Sequence, residues 1–439
     1  MLTIIMAGGK GTRIKSIASD IPKPMLQIDG IPVLEREIKS LVHQGFKDIT
    51  ITVSHLGSVI MDYFSDGSKY GAKISYYIEE EPLGNAGALF KLKNQLTEPF
   101  LLLNADVVFD IDFKRMVEFH KRKGGLVTLF THPNSHPYDS GLILADNAGS
   151  VIQWLAKEDE RPVYYKNRVN AGVHIVDPKV LELIEIDPDR IGKSDESTGK
   201  ILKIDLDRQL LKPLSGTGKM FCYDSPEYVK DMGTPERFYA VEKDFKNGIV
   251  EGKNLSNKQK AIFLDRDGTI NKYVGFLRSE KEFELLDGVA AAIKEINNSG
   301  YLCIVVTNQP VIARGEVSFE ELEVIHYKME TILGLEGAYI DGLYFCPHHP
   351  HKGYEGEIAE LKFDCECRKP KPGMLLQAAE DFNIDLSQSF MIGDSESDIK
   401  AGKAAGCKTV FIGDEDYGQD FTVGSVKEYT DLYLSHFGA

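Results

Sequence analysis

Short apolar runs alternate with stretches of helical spacing along the whole chain. The runs at 2–6, 48–53, 73–78 and 99–103 have the length and composition of buried strands. Residues 34–44 carry apolar side chains at helical spacing, and 238–245 reads as a closing helix. The interval 246–259 is polar, rich in Gly and Asn, and without apolar periodicity, so it reads as a linker. The pattern then restarts: strands at 261–264, 301–306 and 389–392, an Ala-rich helix at 288–298 and a further helix after 373. This alternation predicts an α/β chain of two Rossmann-like domains, 1–245 and 260–439, joined by 246–259.

Composition narrows the class. A chain of 439 residues exceeds one ordinary domain, and 42% hydrophobic residues support sizeable cores. A formal net charge of -16 argues against a general nucleic-acid or anionic-membrane surface, so anionic partners would need local basic pockets. No apolar run reaches transmembrane length, and residues 1–6 lack the basic region of a secretion signal. The expected setting is cytoplasmic and the expected partners are small molecules; homo-oligomerisation is left open. Of the six cysteines, Cys346, Cys365 and Cys367 cluster, which favours a metal over disulfides; Cys222, Cys303 and Cys407 lie in or beside apolar runs and read as core.

Candidate chemistry sits where strands end. The run 261–264 stops at Asp265-Arg-Asp267-Gly-Thr. In open α/β sheets ligands bind at the carboxyl ends of strands, so both carboxylates would face a crevice. So close together they need a cation or a shared proton, and Mg²⁺ would relieve them while screening a phosphate. One Asp could then attack phosphorus while the other moves protons. At the other end of the chain, strand 2–6 enters Ala7-Gly8-Gly9-Lys10-Gly11-Thr12-Arg13. Glycines let backbone N–H groups approach a phosphate, and Lys10 and Arg13 add charge. The loop is neither a Walker loop nor a dinucleotide fingerprint, because Ile14 stands where the third glycine would be.

The ordered set Gly8-Gly9-x-Gly11-Thr12-Arg13, Pro22-Lys23-Pro24, Pro82-Leu83-Gly84-x-Ala86-Gly87, Asn104-x-Asp106, Lys157, Asn170-Ala171-Gly172 and Asp231-Met-Gly233 resembles the sugar-1-phosphate nucleotidyltransferase family over about residues 1–240. The resemblance implies a mixed sheet and attack of a sugar 1-phosphate on the α-phosphorus of a nucleoside triphosphate. It also implies the roles. Ala7, Gly8, Gly9, Gly11, Thr12 and Gly84 bind the nucleotide. Arg13 and Lys23 stabilise the charged phosphorus. Asp106 and Asp231 hold Mg²⁺. Lys157, Asn170 and Gly172 address the sugar phosphate. The chain departs from the family at Ala156, usually Glu, and at Asn85, commonly Thr. Its style is nearest to guanylyltransferases of mannose or heptose 1-phosphates, which makes GTP the expected nucleotide. Glu80 or Glu81 could accept the paired guanine donors, or be a solvated strand end.

The second half resembles the haloacid-dehalogenase-like phosphatases over about residues 260–430, and so implies a parallel sheet. The resemblance rests on Asp265-x-Asp267, Thr307-Asn308, Arg368-Lys369 and Gly393-Asp394-x3-Asp398. It makes Asp265 the nucleophile and Asp267 the proton donor and acceptor. Mg²⁺ falls to Asp265, Asp394 and, through its backbone carbonyl, Asp267. Thr307, Asn308 and Lys369 hold phosphoryl oxygens, with Arg368 delivered beside them. Asp398 either supports the metal or is a helix first-turn carboxylate. Cys346, Cys365 and Cys367 with one imidazole suit a closed tetrahedral Zn²⁺ site; His349 and His351 are also near, and the resemblance implies His348, in Cys346-Pro-His348, as the fourth ligand. Zinc narrows the resemblance to the heptose-bisphosphate and histidinol-phosphate phosphatases, and Arg314 could then meet a distal phosphate. Together the halves suggest consecutive steps: removal of the 7-phosphate of D-glycero-D-manno-heptose 1,7-bisphosphate, then transfer of GMP to the 1-phosphate. The alternative pairs a histidinol-phosphate-type phosphatase with a hexose-1-phosphate nucleotidyltransferase. A degenerate half would have lost acidic and basic site residues, and both halves keep theirs.

Overall fold

A computed structural model describes residues 1–9, 14, 16–17, 21–184, 186–194 and 199–434. Internal contacts divide the chain into two units: Met1–His132, Ile143–Leu155 and Asn170–Asn254 form one; Pro133–Leu142, Ala156–Val169 and Leu255–Ala439 form the other. In the first unit the elements that carry the argument are β1 (Thr3–Met6), α1 (Val33–His43), β2 (Asp48–Val53), β3 (Lys73–Ile78), β4 (Phe100–Asn104), β5 (Val107–Asp110), β6 (Val169–Val176), β7 (Tyr228–Asp231) and α2 (Pro235–Lys246).

These strands belong to a mixed nine-stranded sheet, except β5 and β7, which pair with each other. β1 runs parallel to β2 and β4, and β6 returns antiparallel on β4. Because successive side chains point to opposite faces, Ile4 and Leu102 enter one core while Ile5, Leu101 and Leu103 enter the other. Both faces are covered, which is why these strands read as unbroken apolar runs rather than as alternation. The interval 246–259 is not the solvated tether its composition suggests. Ile249–Gly252 forms a short helix, Val250 is buried with Val108, Tyr228 and Val241, and Asn254 donates to Asp110 at 2.7 Å. An apolar pair inside a polar stretch is enough to dock it.

The second unit holds β8 (Lys260–Leu264), α3 (Val289–Asn297), β9 (Tyr301–Asn308), α4 (Phe319–Leu335), β10 (Gly342–Cys346), α5 (Gly373–Asp381), β11 (Phe390–Gly393), α6 (Glu396–Ala405), β12 (Lys408–Ile412) and β13 (Phe421–Val423). The six strands form one sheet in the order β10-β9-β8-β11-β12-β13, all parallel. β8 is central. Ile262 and Leu264 pack with α3 and α4 on one face, and Ala261 and Phe263 with α5 and α6 on the other. α4 starts at Ser318, whose hydroxyl accepts from Glu321 N while the Glu321 carboxylate accepts from Ser318 N, a reciprocal cap. Further along, Thr331 exchanges hydrogen bonds with the backbone of Tyr165, and Glu330 accepts from Asn167 N at 2.8 Å. Residues 156–169 therefore pack as part of this unit. Among the described residues no helix is long and apolar enough to cross a membrane.

Candidate active sites

In the first unit the carboxyl ends of β1 and β4 lie side by side. Lys23 sits in a 3-10 turn at Lys23–Met25, held by Pro22 and Pro24. That rigid turn buries the lysine and aims its Nζ at Asp106 Oδ2, 3.1 Å away, and Asp231 Oδ1, 3.5 Å away. The antiparallel register of β7 on β5 sets Asp231 opposite Val107, and Met232 N donates to Asp106 O, so two distant aspartates converge. Arg237 also pairs with Asp231. Two cationic side chains thus face two carboxylates, of which Asp106 is the more exposed.

Around it, β6 presents Asn170 and Gly172 beside Asn104. Asn170 Oδ1 lies 3.0 Å from His174 Nε2; burial holds His174 neutral, pulling its pKa down to about 3. Gly84 has a positive φ and runs against the Ile204 backbone, where a Cβ would come within 2.3 Å of the carbonyl oxygen. Its glycine is thus required by packing. Ala7 continues β1 by donating to Thr52 O at 2.9 Å. Gly11, Thr12 and Arg13 lie outside the described residues. Lys157 falls in the second unit, largely exposed, with its ammonium on Asp139.

Two acids here were not singled out from sequence. Glu79 lies against Gly8, its Oε1 3.1 Å from where a Cβ would stand, and burial pushes its pKa up to about 6. Glu80 and Glu81, the residues first considered for the base, are exposed. Glu37, on α1, is fully buried with neither carboxylate oxygen hydrogen-bonded; burial, and then Asp106, hold it protonated well above the usual range. The stretch of three glutamates and the helical spacing around Glu37 contain no signal of either placement.

In the second unit three carboxylates close on one amine. Lys369 Nζ is 2.7 Å from Asp265 Oδ1 and 2.6 Å from Asp398 Oδ1, and it donates to Val306 O at 2.8 Å. Asp265, Asp394 and Asp398 offer oxygens within 4.8 Å of one another. Asp394 approaches because Gly268 has no side chain: a Cβ there would be 1.9 Å from Asp394 Oδ2. Burial, outweighing Lys369, pushes Asp265 up to about 7, and burial with Asp398 pushes Asp394 up to about 6. Asp398 sits in the first turn of α6, as one of its two expected readings has it, accepting from Ser395 N at 3.1 Å, and it also pairs with Lys369.

The Asp267 side chain stands apart from that group. It accepts from Arg266 Nη2 at 2.8 and 2.9 Å, Asn271 Nδ2 at 3.0 Å and Gln309 Nε2 at 2.9 Å. Thr307 Oγ1 accepts from Gln309, and Asn308 brackets the Lys369 backbone, donating to its carbonyl and accepting from its N–H, both at 3.0 Å. In this arrangement Asn308 places Lys369. Arg368 donates to His348 O at 3.2 Å. Arg314 is held between two rings, 4.0 Å from the centroid of Phe276 and 4.3 Å from that of Tyr354, whose hydroxyl accepts from its Nη2. Neither ring was marked by the sequence.

Cys346, His348, Cys365 and Cys367 form a four-donor cluster with neighbouring atoms 3.1–3.7 Å apart. Four donors at about 2.3 Å from a shared tetrahedral centre stand roughly this far apart. The hydrogen bond between Cys367 and Cys346, 3.1 Å long, lowers the Cys367 thiol to about 5 and raises that of Cys346. His349 Nδ1 instead meets the backbone of His351, and neither is among the four.

A mixed sheet whose ends carry a Lys23–Asp106–Asp231 cluster, and a parallel sheet whose ends carry Asp265, Lys369, Asp394 and Asp398, define an α/β enzyme of two phosphorus chemistries. Residues 2–248 match the nucleotidyl transferase family, and residues 366–428 the HAD-hydrolase-like family. The D-glycero-beta-D-manno-heptose-1,7-bisphosphate 7-phosphatase of Yersinia pestis is 45% identical over 155 residues, 35% of this chain and 80% of that protein. Among solved structures, HddC from Yersinia pseudotuberculosis is 25% identical, covering 56% of this chain and 99% of that one, with a TM-score of 0.45. The D,D-heptose 1.7-bisphosphate phosphatase from B. bronchiseptica, complexed with magnesium and phosphate, is 29% identical, covering 40% and 99%, with a TM-score of 0.36. The chain belongs to the nucleotidyl transferase family through its first half and to the family of the Yersinia pestis phosphatase through its second. It is a nucleotidyltransferase and phosphatase in one chain.

The orphaned Glu37 carries a pH signature. Its folded pKa lies above the unfolded value of 4.5, so the native state holds a proton that the unfolded chain releases as pH rises. Glu37→Gln should therefore melt higher than the parent at pH 8, with the gap closing as pH falls to about 4.5; a gap that is constant across pH in thermal melts contradicts this.

Proposed function

We propose that the second unit removes the 7-phosphate of D-glycero-D-manno-heptose 1,7-bisphosphate and that the first transfers GMP from GTP to the resulting heptose 1-phosphate, giving GDP-heptose and pyrophosphate. The observation that carries the reading is Arg314, whose guanidinium is held between the Phe276 and Tyr354 rings in the unit that also holds the Asp265–Lys369–Asp394 cluster: a cation we assign to the second phosphate of the same substrate. The 45% identity to the heptose phosphatase supports the sugar.

Asp265 attacks the 7-phosphorus and takes the phosphoryl group as the sugar oxygen leaves with a proton from Asp267. Asp267 then takes a proton from water, which opens the acyl phosphate and returns Asp265. Lys369 and Thr307 hold phosphoryl oxygens, and Arg314 and Arg368 hold the anomeric phosphate. The surplus of three carboxylates over one lysine, visible in the raised Asp265 and Asp394, suits a divalent cation. Mg²⁺ held by Asp265, Asp394 and the Asp267 carbonyl, with Asp398 beside it, supplies charge neutralisation. In the first unit, Asp106 and Asp231 would hold Mg²⁺, Lys23 and Arg13 meet the phosphates, Gly8, Gly9, Gly11 and Thr12 approach the triphosphate, and Asn170 and Gly172 meet the sugar phosphate. Glu79, beside Gly8, is the carboxylate placed to accept guanine N–H donors. A closed Cys₃His set, with no open position, suits structural Zn²⁺. We place the enzyme in the cytoplasm, with phosphorylated small molecules as its partners.

The test is phosphate release from α- and β-heptose 1,7-bisphosphate and from histidinol phosphate, followed by GTP and detection of nucleotide sugar by mass. Heptose turnover with GDP-heptose is expected; turnover of histidinol phosphate alone overturns the assignment. Asp265→Asn should lower phosphate release by about 10³-fold or more while transfer to supplied heptose 1-phosphate is unchanged. Arg314→Ala should raise KM for the bisphosphate roughly 10- to 100-fold and leave KM for p-nitrophenyl phosphate unaltered. Cys367→Ser should lower zinc per chain, read by metal analysis, and lower the melting temperature.

A further inference from the structure

Arg266 stands between the two catalytic aspartates, and its side chain has no exposed surface. Its Nε and Nη2 fork onto the carboxylate of Asp267, the next residue. The remaining nitrogen, Nη1, lies 3.1 Å from Nε2 of His326 on α4, sixty positions away. A guanidinium only donates, so Nε2 accepts and the imidazole is neutral with its proton on Nδ1. Burial and then the Arg266 charge both keep it so. His326 is itself buried, its ring 5.6 Å from that of Phe345, which pairs with Thr307 across β9 and β10. Without an acceptor at this place a buried N–H would be orphaned, and the fork on Asp267 would lose its rear support.

We infer that His326 is a positioning residue for proton transfer: through Arg266 it holds the Asp267 carboxylate in line with the leaving oxygen. The inference rests on the reading of Asp265 and Asp267 as nucleophile and proton carrier. It assigns a function to α4 that neither the motif around Asp265 nor the match at 366–428 contains. Chemically, the ester P–O bond breaks as the Asp265 O–P bond forms, and the alkoxide leaves as alcohol with the Asp267 proton. A nitrophenolate needs no such proton to leave. Misplaced proton delivery must therefore slow alkyl esters and spare aryl ones.

The experiment compares kcat/KM, which reports the steps up to phosphoryl transfer to Asp265 and not the hydrolysis shared by every ester, on heptose 1,7-bisphosphate, ethyl phosphate and p-nitrophenyl phosphate for the full chain, His326→Leu and His326→Gln. Leucine fills the space but accepts nothing; glutamine can accept from Arg266. His326→Leu should lose about 10²-fold on the two alkyl esters and less than about threefold on the aryl ester, and His326→Gln should recover most of the loss. The alkyl-to-aryl ratio is read on one preparation, so a partly unfolded sample does not change it. An equal fall on all three esters means that His326 only supports the fold and overturns the inference, as does an unchanged alkyl rate. A parent enzyme that cleaves ethyl and nitrophenyl phosphate but not the heptose ester refutes the substrate assignment alone, and the ratio still decides the role of His326.

Discussion

Lys369 carries a single positive charge into a place where Asp265, Asp394 and Asp398 all converge, with two of them against its amine. Leaving a buried charge unpaired is costly, and here negative charge is in excess even after the ion pairs form. Much of the second unit follows from that constraint. The parallel strands deliver Asp265 and Asp394 at neighbouring ends. Gly268 lets them approach, and Asn308 grips the Lys369 backbone on both sides. The Cys₃His cluster ends at Cys367, two residues before the lysine. A loop that must insert an amine into a buried acidic pocket needs a rigid anchor, and four converging donors provide one.

The first unit solves a related problem with less burial. Lys23 is buried, but Asp106 and Asp231 remain substantially exposed, with side-chain accessibilities of 49% and 36%. An open carboxylate pair keeps its ordinary affinity for cations and leaves room for a polyphosphate. Glu37 is the exception, a buried acid whose pKa is raised well above the usual range by burial and then by Asp106. The two halves thus differ in solvent exposure: Asp265, Asp398 and Lys369 form a shielded cluster, Asp106 and Asp231 an accessible pair.

In the second unit the side chains that hold Arg314 lie outside the motif positions. Phe276 and Tyr354 fix the plane of Arg314, and Lys362 lies under the other partner of this stack, 4.4 Å from the Tyr354 ring centroid. α4 contributes His326 behind Arg266 and, one turn on, Glu330 and Thr331 to the backbone of residues 165–167. One helix therefore touches both the support of Asp267 and the 156–169 segment.

Strand positions, the α/β class and the acidic strand ends were legible in the chain because all three depend on local order. A strand buried on two faces must be apolar throughout, and a turn at its end must be Gly, Asp or Asn. The Cys346, His348, Cys365 and Cys367 quartet was legible for the same reason: its donors come as two close pairs. Local order misled at 246–259, where two apolar residues among polar ones dock a short helix. It also could not rank three consecutive glutamates, of which only Glu79 turns back on Gly8. The clamp of Phe276 and Tyr354, the support of Arg266 by His326, and the burial of Glu37 beside Asp106 are contacts between residues dozens of positions apart. They leave no periodic trace in the chain, since each depends on which faces meet once the sheets are closed. The sequence by itself determined the elements and the chemistry offered at their ends; the packing of those elements decided which groups are buried, which are paired, and so which of them act.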